Sequence, residues 1–370
     1  MANINEYLCW RGDLTFEQSP FNEVDGLILA YLSYVPMEGI VASPWEEDRI
    51  TVKEGACRFW EKNDEQEFLE GISLVKMAPF VMRRLAATKR FQDAKLCYFQ
   101  NSVNLEEESQ FCGLCIELTK NLNYIAFRGT DSSLIGWKEN LRMSYEVVPA
   151  QNKAKDYLNY VGRKIDGKIY VGGHSKGGNL ATFAAAMAQE EVKEKIAGIY
   201  NFDGPGFMEA FLKSGEYQSI QKVYHKLVPK DSMVGMILGH DSHYEVVECE
   251  TPGIRQHDPL CWRVAGTEFP RLAKRSEQSY RTEKGIRNCL NDLSDKEKAK
   301  IIDILFRSFQ EDELKSMNEL RYILTTKRLR NSWLIDHRKL QQHVEIQKLI
   351  QSATREFRTE IGRIIFPKIR

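Results

Sequence analysis

No stretch of the 370-residue chain approaches the run of about eighteen uninterrupted apolar residues that a membrane-spanning helix needs. The longest apolar segment, Gly26 to Met37, has only the length of a buried helix, so no membrane span is expected. Cysteine is sparse and irregularly spaced, eight residues in all, as expected of reduced thiols and not of a disulfide framework. The close pair in Cys112-Gly113-Leu114-Cys115 has no second CxxC to complete a zinc site, and FCGLCIEL has the texture of a strand, so the pair reads as structural. The opening decapeptide MANINEYLCW lacks a basic stretch followed by an apolar one, which points to a cytoplasmic protein. There is no internal repeat, no low-complexity tract and no net charge (52 basic against 52 acidic residues), so disordered and collagenous classes are excluded.

What is present is ordinary globular composition, 42% apolar and 28% charged. A chain of this length buries roughly three quarters of its unfolded surface and needs no metal or disulfide staple. The even charge balance hides an asymmetry. Residues 271–370 carry 23 Lys and Arg against 14 Asp and Glu, a balance of +9, which leaves −9 on residues 1–270. A boundary is expected near residue 270, with an α/β domain over 1–270 and a basic helical region over 271–370.

Within 1–270, residues 1–95 read as a helical lead-in, from the apolar spacing of FNEVDGLILAYLSYV and EFLEGISLVKMAPFVMRRLA. Residues 96–270 read as the core. LCYFQ, QFCGLCIEL and LNYIAF predict an antiparallel meander, with a turn at Lys120-Asn121. Beyond Ala150, the runs KIYVGG, IAGIYNF and IQKVYHKLV alternate with helix or loop, the pattern of a mostly parallel sheet flanked by helices. Past residue 270 only helical periodicity remains, including a capping box at Ser294 and Glu297.

The sharpest chemical signal is Gly173-His174-Ser175-Lys176-Gly177, a G-x-S-x-G between the buried strand KIYVGG and a small-residue helix. Such a turn is tight enough to strain the serine backbone and to exclude side chains at its glycines. It exposes Ser175 Oγ and aims the Lys176 amide at the same space, at the positive end of the following helix. A serine hydroxyl attacks at neutral pH only when a base takes its proton and an acid orients that base. Two aspartates close or follow later strands: Asp203 ends GIYNFD and Asp231 lies in VPKDSM. Of the histidines after Ser175, His225 sits in a strand run and reads as core. His257, in the loop GIRQHDPLCW, can reach back over the sheet edge, and His243 precedes a strand-like alternation in HYEVVE. Asp231 and His257 are the first choices for acid and base, and Asp203 and His243 the second.

YIAFRGTDSSLIGWKENL, followed by VGGHSKGGNLATFAAA and IYNFDGPGF, resembles the class 3 (fungal-type) lipases of the α/β-hydrolase fold. It is closer still to bacterial lipase-like domains of unassigned function that carry GHSKGGNLA. The resemblance covers roughly residues 96–265. It implies Ser175 as nucleophile, Asp231 as acid, His257 as base, and Thr130 with the Lys176 amide as oxyanion donors. The strand-ending turn at Arg128-Gly129 independently lets the Thr130 amide and hydroxyl face a developing oxyanion.

Two departures bear on substrate. The lipases usually have an apolar residue after the serine where this chain has Lys176, and Asp203 is gained at the end of the next strand. A charged rim fits poorly with a triglyceride interface, so a smaller or polar ester, amide or thioester is weighed equally. The expected activity is acyl-ester hydrolysis through an acyl-enzyme, without cofactor and without metal. The pair His240 and His243 supplies too few ligands for a metal site. The competing reading is a non-catalytic binding or scaffold protein that uses its basic tail. Nucleic acid is not expected as a partner, because the tail is poor in aromatics, whereas peripheral contact with an anionic membrane stays open.

Overall fold

The structure, a computed structural model, describes residues 2–70, 75–130, 134–240, 243–291, 293–299 and 302. The lead-in comprises helices α1 (Ile4–Arg11), α2 (Glu23–Leu32), α3 (Val52–Lys62), α4 (Glu65–Glu70) and α5 (Ala78–Leu85), with a two-residue strand β1 (Ile50–Thr51) ahead of α3. Capping boxes at Asn3, Asn22 and Thr51 start α1, α2 and α3: each side chain accepts from the first-turn amides while the acid three residues on reaches back. The expected meander follows as β2 (Lys95–Asn104), β3 (Ser109–Thr119) and β4 (Leu122–Phe127), each antiparallel to its neighbour.

Helices α6 (Leu134–Arg142) and α7 (Pro149–Lys164) lead to β5 (Lys168–His174). Next come α8 (Lys176–Ala186), α9 (Glu190–Lys193) and β6 (Ile196–Phe202), then α10 (Glu209–Leu212), α11 (Gly215–Ser219) and β7 (Tyr224–Pro229). Strands β8 (Glu245–Val247) and β9 (Arg271–Leu272) complete the sheet, and α12 (Glu277–Asn291) follows. The strand order is sequential from β1 to β9, with β4 through β8 mutually parallel and the flanking pairs antiparallel. This is the mixed, centrally parallel sheet flanked by helices of the α/β-hydrolase class.

Sequential parallel strands joined by crossovers of one hand put every crossover helix on the same face of the sheet. That face is the core in which Ile125 and Phe127 of β4 and Ile169 and Val171 of β5 pack under Ala154, Leu158, Leu180 and Ala184. The opposite face would be left bare, and the lead-in covers it: α2 lies against β4, β5 and β6. Tyr124, Ala126, Tyr200 and Phe202 alternate onto that side and join Leu27, Ile28 and Tyr31. Tyr124 donates to the Gly26 carbonyl at 2.9 Å. The lead-in is therefore one of the three layers of the domain.

The charge break at residue 270 falls between two paired strands. Arg271 sits in β9 against Val247, and its guanidinium forks onto Glu23 at the start of α2 and reaches Glu245. Farther on, Ser276 N donates to Lys230 O and Ser279 Oγ to Ser232 O. The basic run after residue 302, with His337 and His343, lies outside the described residues. Among the described residues no helix is long and apolar enough to cross a membrane.

Candidate active site

The parallel strands β4 to β7 all end at one edge of the sheet, and each end contributes a residue. Ser175, directly after β5, has φ 58° and ψ −134°, a conformation that costs a non-glycine residue about 1–3 kcal/mol and persists only where the surroundings impose it. They do so here by close passage. A Cβ on Gly173 would lie 2.3 Å from the Gly177 carbonyl carbon, and one on Gly177 would lie 2.0 Å from Phe127 O of β4. Ser175 N donates to Phe202 O, which ties the turn to β6. The strand-to-helix elbow expected from the motif is thus present, with the N-terminus of α8 beginning at Lys176.

The end of β4 runs against this elbow. A Cβ on Gly129 would meet His174 O at 2.6 Å and Ser175 Cβ at 3.0 Å, so the backbone reaching Thr130 touches the serine's own turn. Thr130 Oγ1 exchanges hydrogen bonds with the Asn140 side-chain amide of α6, at 2.7 Å from Nδ2 and 3.0 Å from Oδ1.

Asp203, at the end of β6, is also in the left-handed region, with φ 52°, and is buried. Its Oδ1 accepts from Ser232 Oγ (2.5 Å) and Gly235 N (3.1 Å), and its Oδ2 accepts from His257 Nδ1 at 2.6 Å. The Nδ1 proton directed at the carboxylate leaves Nε2 of His257 with its lone pair. The His257 ring lies 4.5 Å, centroid to centroid, from the ring of His174, the residue before the serine.

The expected partner of His257 is therefore corrected. Asp231 does not hold the imidazole; its Oδ2 accepts from Gly253 N (2.8 Å) and Gln256 Nε2 (3.1 Å), and its own amide donates to Gln256 Oε1. It braces the 3-10 turn Gly253–His257 from behind, while Trp262 Nε1 donates to Gln256 O. The choice of the later strand end failed because the turn carrying His257 reaches one strand farther in, to β6.

His243, the second-choice base, is exposed ahead of β8. His240 pairs with Glu283 of α12 at 3.0 Å, and no group of three or more metal-competent side chains exists among the described residues. His225 is exposed near the start of β7 and stacks on Tyr200 at 5.0 Å, so it is not the core residue expected.

The reading of Lys176 as part of a charged rim is overturned. Its side chain is 1% exposed, ion-paired to Glu139 (0% exposed), and donates to Gln110 O at 2.7 Å. Asp203 is likewise interior, so neither charge is presented to substrate.

Sequence reasoning missed the groups behind the site. His174 is buried, and its Nε2 lies 2.7 Å from His257 O. A carbonyl can only accept, so Nε2 carries the proton and Nδ1 accepts from Tyr34 Oη, 3.0 Å away. Burial, with His257 beside it, holds the His174 pKa well below the usual histidine range, which keeps this ring neutral. Tyr34 and His174 thus fix the backbone of His257 from one side while Asp231 and Gln256 fix its turn from the other. The only sequence signal for His174 was its place inside the motif, and Tyr34, 140 residues away, had none.

The Mbeg1-like family profile matches residues 85–307, more than half of the chain. No curated protein matches. Among solved structures the chain is similar to M37 lipase, at 15% identity and a TM-score of 0.34 over 57% of this chain and 68% of that one. It is also similar to the native propeptide complex of Rhizomucor miehei lipase, at 18% identity and a TM-score of 0.30 over 42% of this chain and 57% of that one. A two-residue deletion mutant of the same propeptide complex matches at 16% identity and a TM-score of 0.33, over 51% of this chain and 69% of that one.

Proposed function

The chain belongs to the Mbeg1-like family, and from that premise we propose that it is a lipase-like serine hydrolase that cleaves acyl esters. Ser175 Oγ attacks the acyl carbonyl while His257 Nε2 takes its proton, and Asp203 stabilises the imidazolium that forms. The amides of Lys176 and Thr130 donate to the tetrahedral oxyanion, and the Thr130 hydroxyl joins them by turning its proton away from Asn140 Oδ1 while Oγ1 still accepts from Asn140 Nδ2; donors of this kind are worth about 3 kcal/mol each in the barrier. The imidazolium returns its proton to the leaving alcohol. Water, activated by the same nitrogen, then releases the acid from Ser175.

The observation that carries this reading is the convergence at one sheet edge. The serine is strained into an elbow at φ 58°, and a histidine packed on that elbow is hydrogen-bonded at 2.6 Å to an aspartate that is itself held left-handed. Three elements far apart in sequence meet in the order nucleophile, acid, base. With Lys176 and Asp203 both interior, nothing charged from the motif discourages an apolar acyl group, and an acyl ester or lipid-like substrate is the natural class. A fluorophosphonate should label the wild type at Ser175 and p-nitrophenyl butyrate should be hydrolysed, both lost in Ser175→Ala with the circular dichroism spectrum unchanged. Equal turnover by wild type and variant would refute the assignment.

A further inference from the structure

Resting on the hydrolase reading, we infer that the buried pair Glu139–Lys176 is a positioning device for the oxyanion donors. The Glu139 carboxylate is shared among three elements besides its own α6. Oε2 accepts from the Lys176 ammonium at the head of α8 and from Gln110 N of β3 (3.0 Å), and Oε1 accepts from Ala150 N in the first turn of α7 (3.0 Å). Lys176 Nζ also donates to Gln110 O at 2.7 Å. Both side chains are essentially without solvent, at 0% and 1% exposure.

Desolvating two charges is costly, and an apolar pair of the same volume would hold two helices together as well or better. What an apolar pair would not supply is direction, and both ends of this one bear on the proposed oxyanion hole. The residue after Glu139 is Asn140, whose side chain holds Thr130 Oγ1. Lys176 is itself the residue whose amide is the second donor. One carboxylate therefore sets the distance between the start of α8 and the turn of α6 that orients Thr130. Lys138, the residue before Glu139, adds a second contact of α6 to the start of β3 through Glu108 at 2.6 Å.

The test compares wild type with Glu139→Asp, which keeps the charge on a shorter arm, and with the double variant Glu139→Gln/Lys176→Met, which removes both charges at similar volume. Each is assayed for kcat and KM on p-nitrophenyl butyrate, for inhibition by an alkyl trifluoromethyl ketone, whose serine adduct carries the oxyanion, and for its thermal melt. A positioning role predicts kcat lower by tenfold or more in both variants, with KM within about threefold. The ketone's Ki should rise by the same factor as kcat falls. Either variant folding with kcat and Ki within twofold of wild type would overturn the inference. So would loss of the cooperative melt in both, which would make the pair purely structural. Absence of turnover and of fluorophosphonate labelling in the wild type would instead remove the hydrolase reading, and the inference with it.

Discussion

In Asp203→Asn the backbone should be preserved, because asparagine enters the left-handed region as readily as aspartate and the φ of 52° needs no adjustment. The side-chain oxygen can still accept from Ser232 Oγ and Gly235 N, which hold Oδ1 in the wild type. That retention forces the new NH2 group to face His257 Nδ1, where the carboxylate now accepts at 2.6 Å. Two donors cannot share the contact, so the imidazole must move its proton to Nε2, and the lone pair that would take the Ser175 proton is lost. The imidazolium of the transition state also loses its buried counter-charge. A swap of this kind in a Ser-His-Asp site costs about 10⁴ in turnover, which at 1.36 kcal/mol per tenfold is about 5.4 kcal/mol. Asp231→Asn removes a charge only from a brace on Gly253 and Gln256, so it should cost about 1 kcal/mol of stability and less than tenfold in kcat. The assay is kcat on p-nitrophenyl butyrate with the fluorophosphonate labelling rate, on variants whose melting curves are cooperative. If Asp203→Asn stays within tenfold of wild type while Asp231→Asn abolishes turnover, the acid is Asp231 and the reasoning from the His257 contact is wrong.

Ser175→Gly should lose turnover as fully as Ser175→Ala yet be more stable than it by about 1 kcal/mol, since glycine adopts φ 58° without strain; equal melting temperatures would argue against strain at the elbow. Tyr34→Phe removes the donor to His174 Nδ1 and should lower kcat three- to tenfold with little change in KM, and an unchanged kcat would show that the His174 contact does not steady His257. Asp258 is pushed up to about 6 by burial, above the 3.8 of an ordinary aspartate, so between those values the native state binds more protons than the unfolded chain and stability falls as pH rises. Asp258→Asn keeps an acceptor for Leu260 N, so its stability relative to wild type should grow between pH 4 and 7 by up to about 3 kcal/mol in urea melts, and a difference independent of pH would contradict this. A chain ended at Thr267 loses β9, the Arg271 fork on Glu23 and the Ser279–Ser232 bond, and should be insoluble or melt without cooperativity; a soluble, cooperative product would make everything after residue 267 an appended module.

The elbow was legible because its causes are local. A buried strand, two glycines around a serine and a small-residue helix follow one another without interruption in the chain, and the close passage of Gly177 under Phe127 O needs only that the preceding strand β4 be adjacent. The meander and the run of parallel strands were readable for the same reason, since period and turn chemistry are written into each segment. The histidine that pairs with Asp203 was also within reach, because His257 lies in a loop and not inside a strand.

Which aspartate pairs with His257 was not legible. Asp203 and Asp231 both stand at strand ends on the same sheet edge, and what separates them is the path of the Gly253–His257 turn, drawn toward β6 by the His174 side chain and braced from β7 by Asp231 itself. Lys176 misled because a lysine beside a nucleophile reads as a surface charge until its partner is known, and Glu139 is 37 residues away on another helix. His225 misled in the opposite sense, as a strand position that the sheet leaves exposed. Local conformation follows from neighbours in the chain. The pairing of buried charges, and the choice between two carboxylates, depends on which groups the fold brings within about 3 Å in the absence of water, and only the packed tertiary structure decides that.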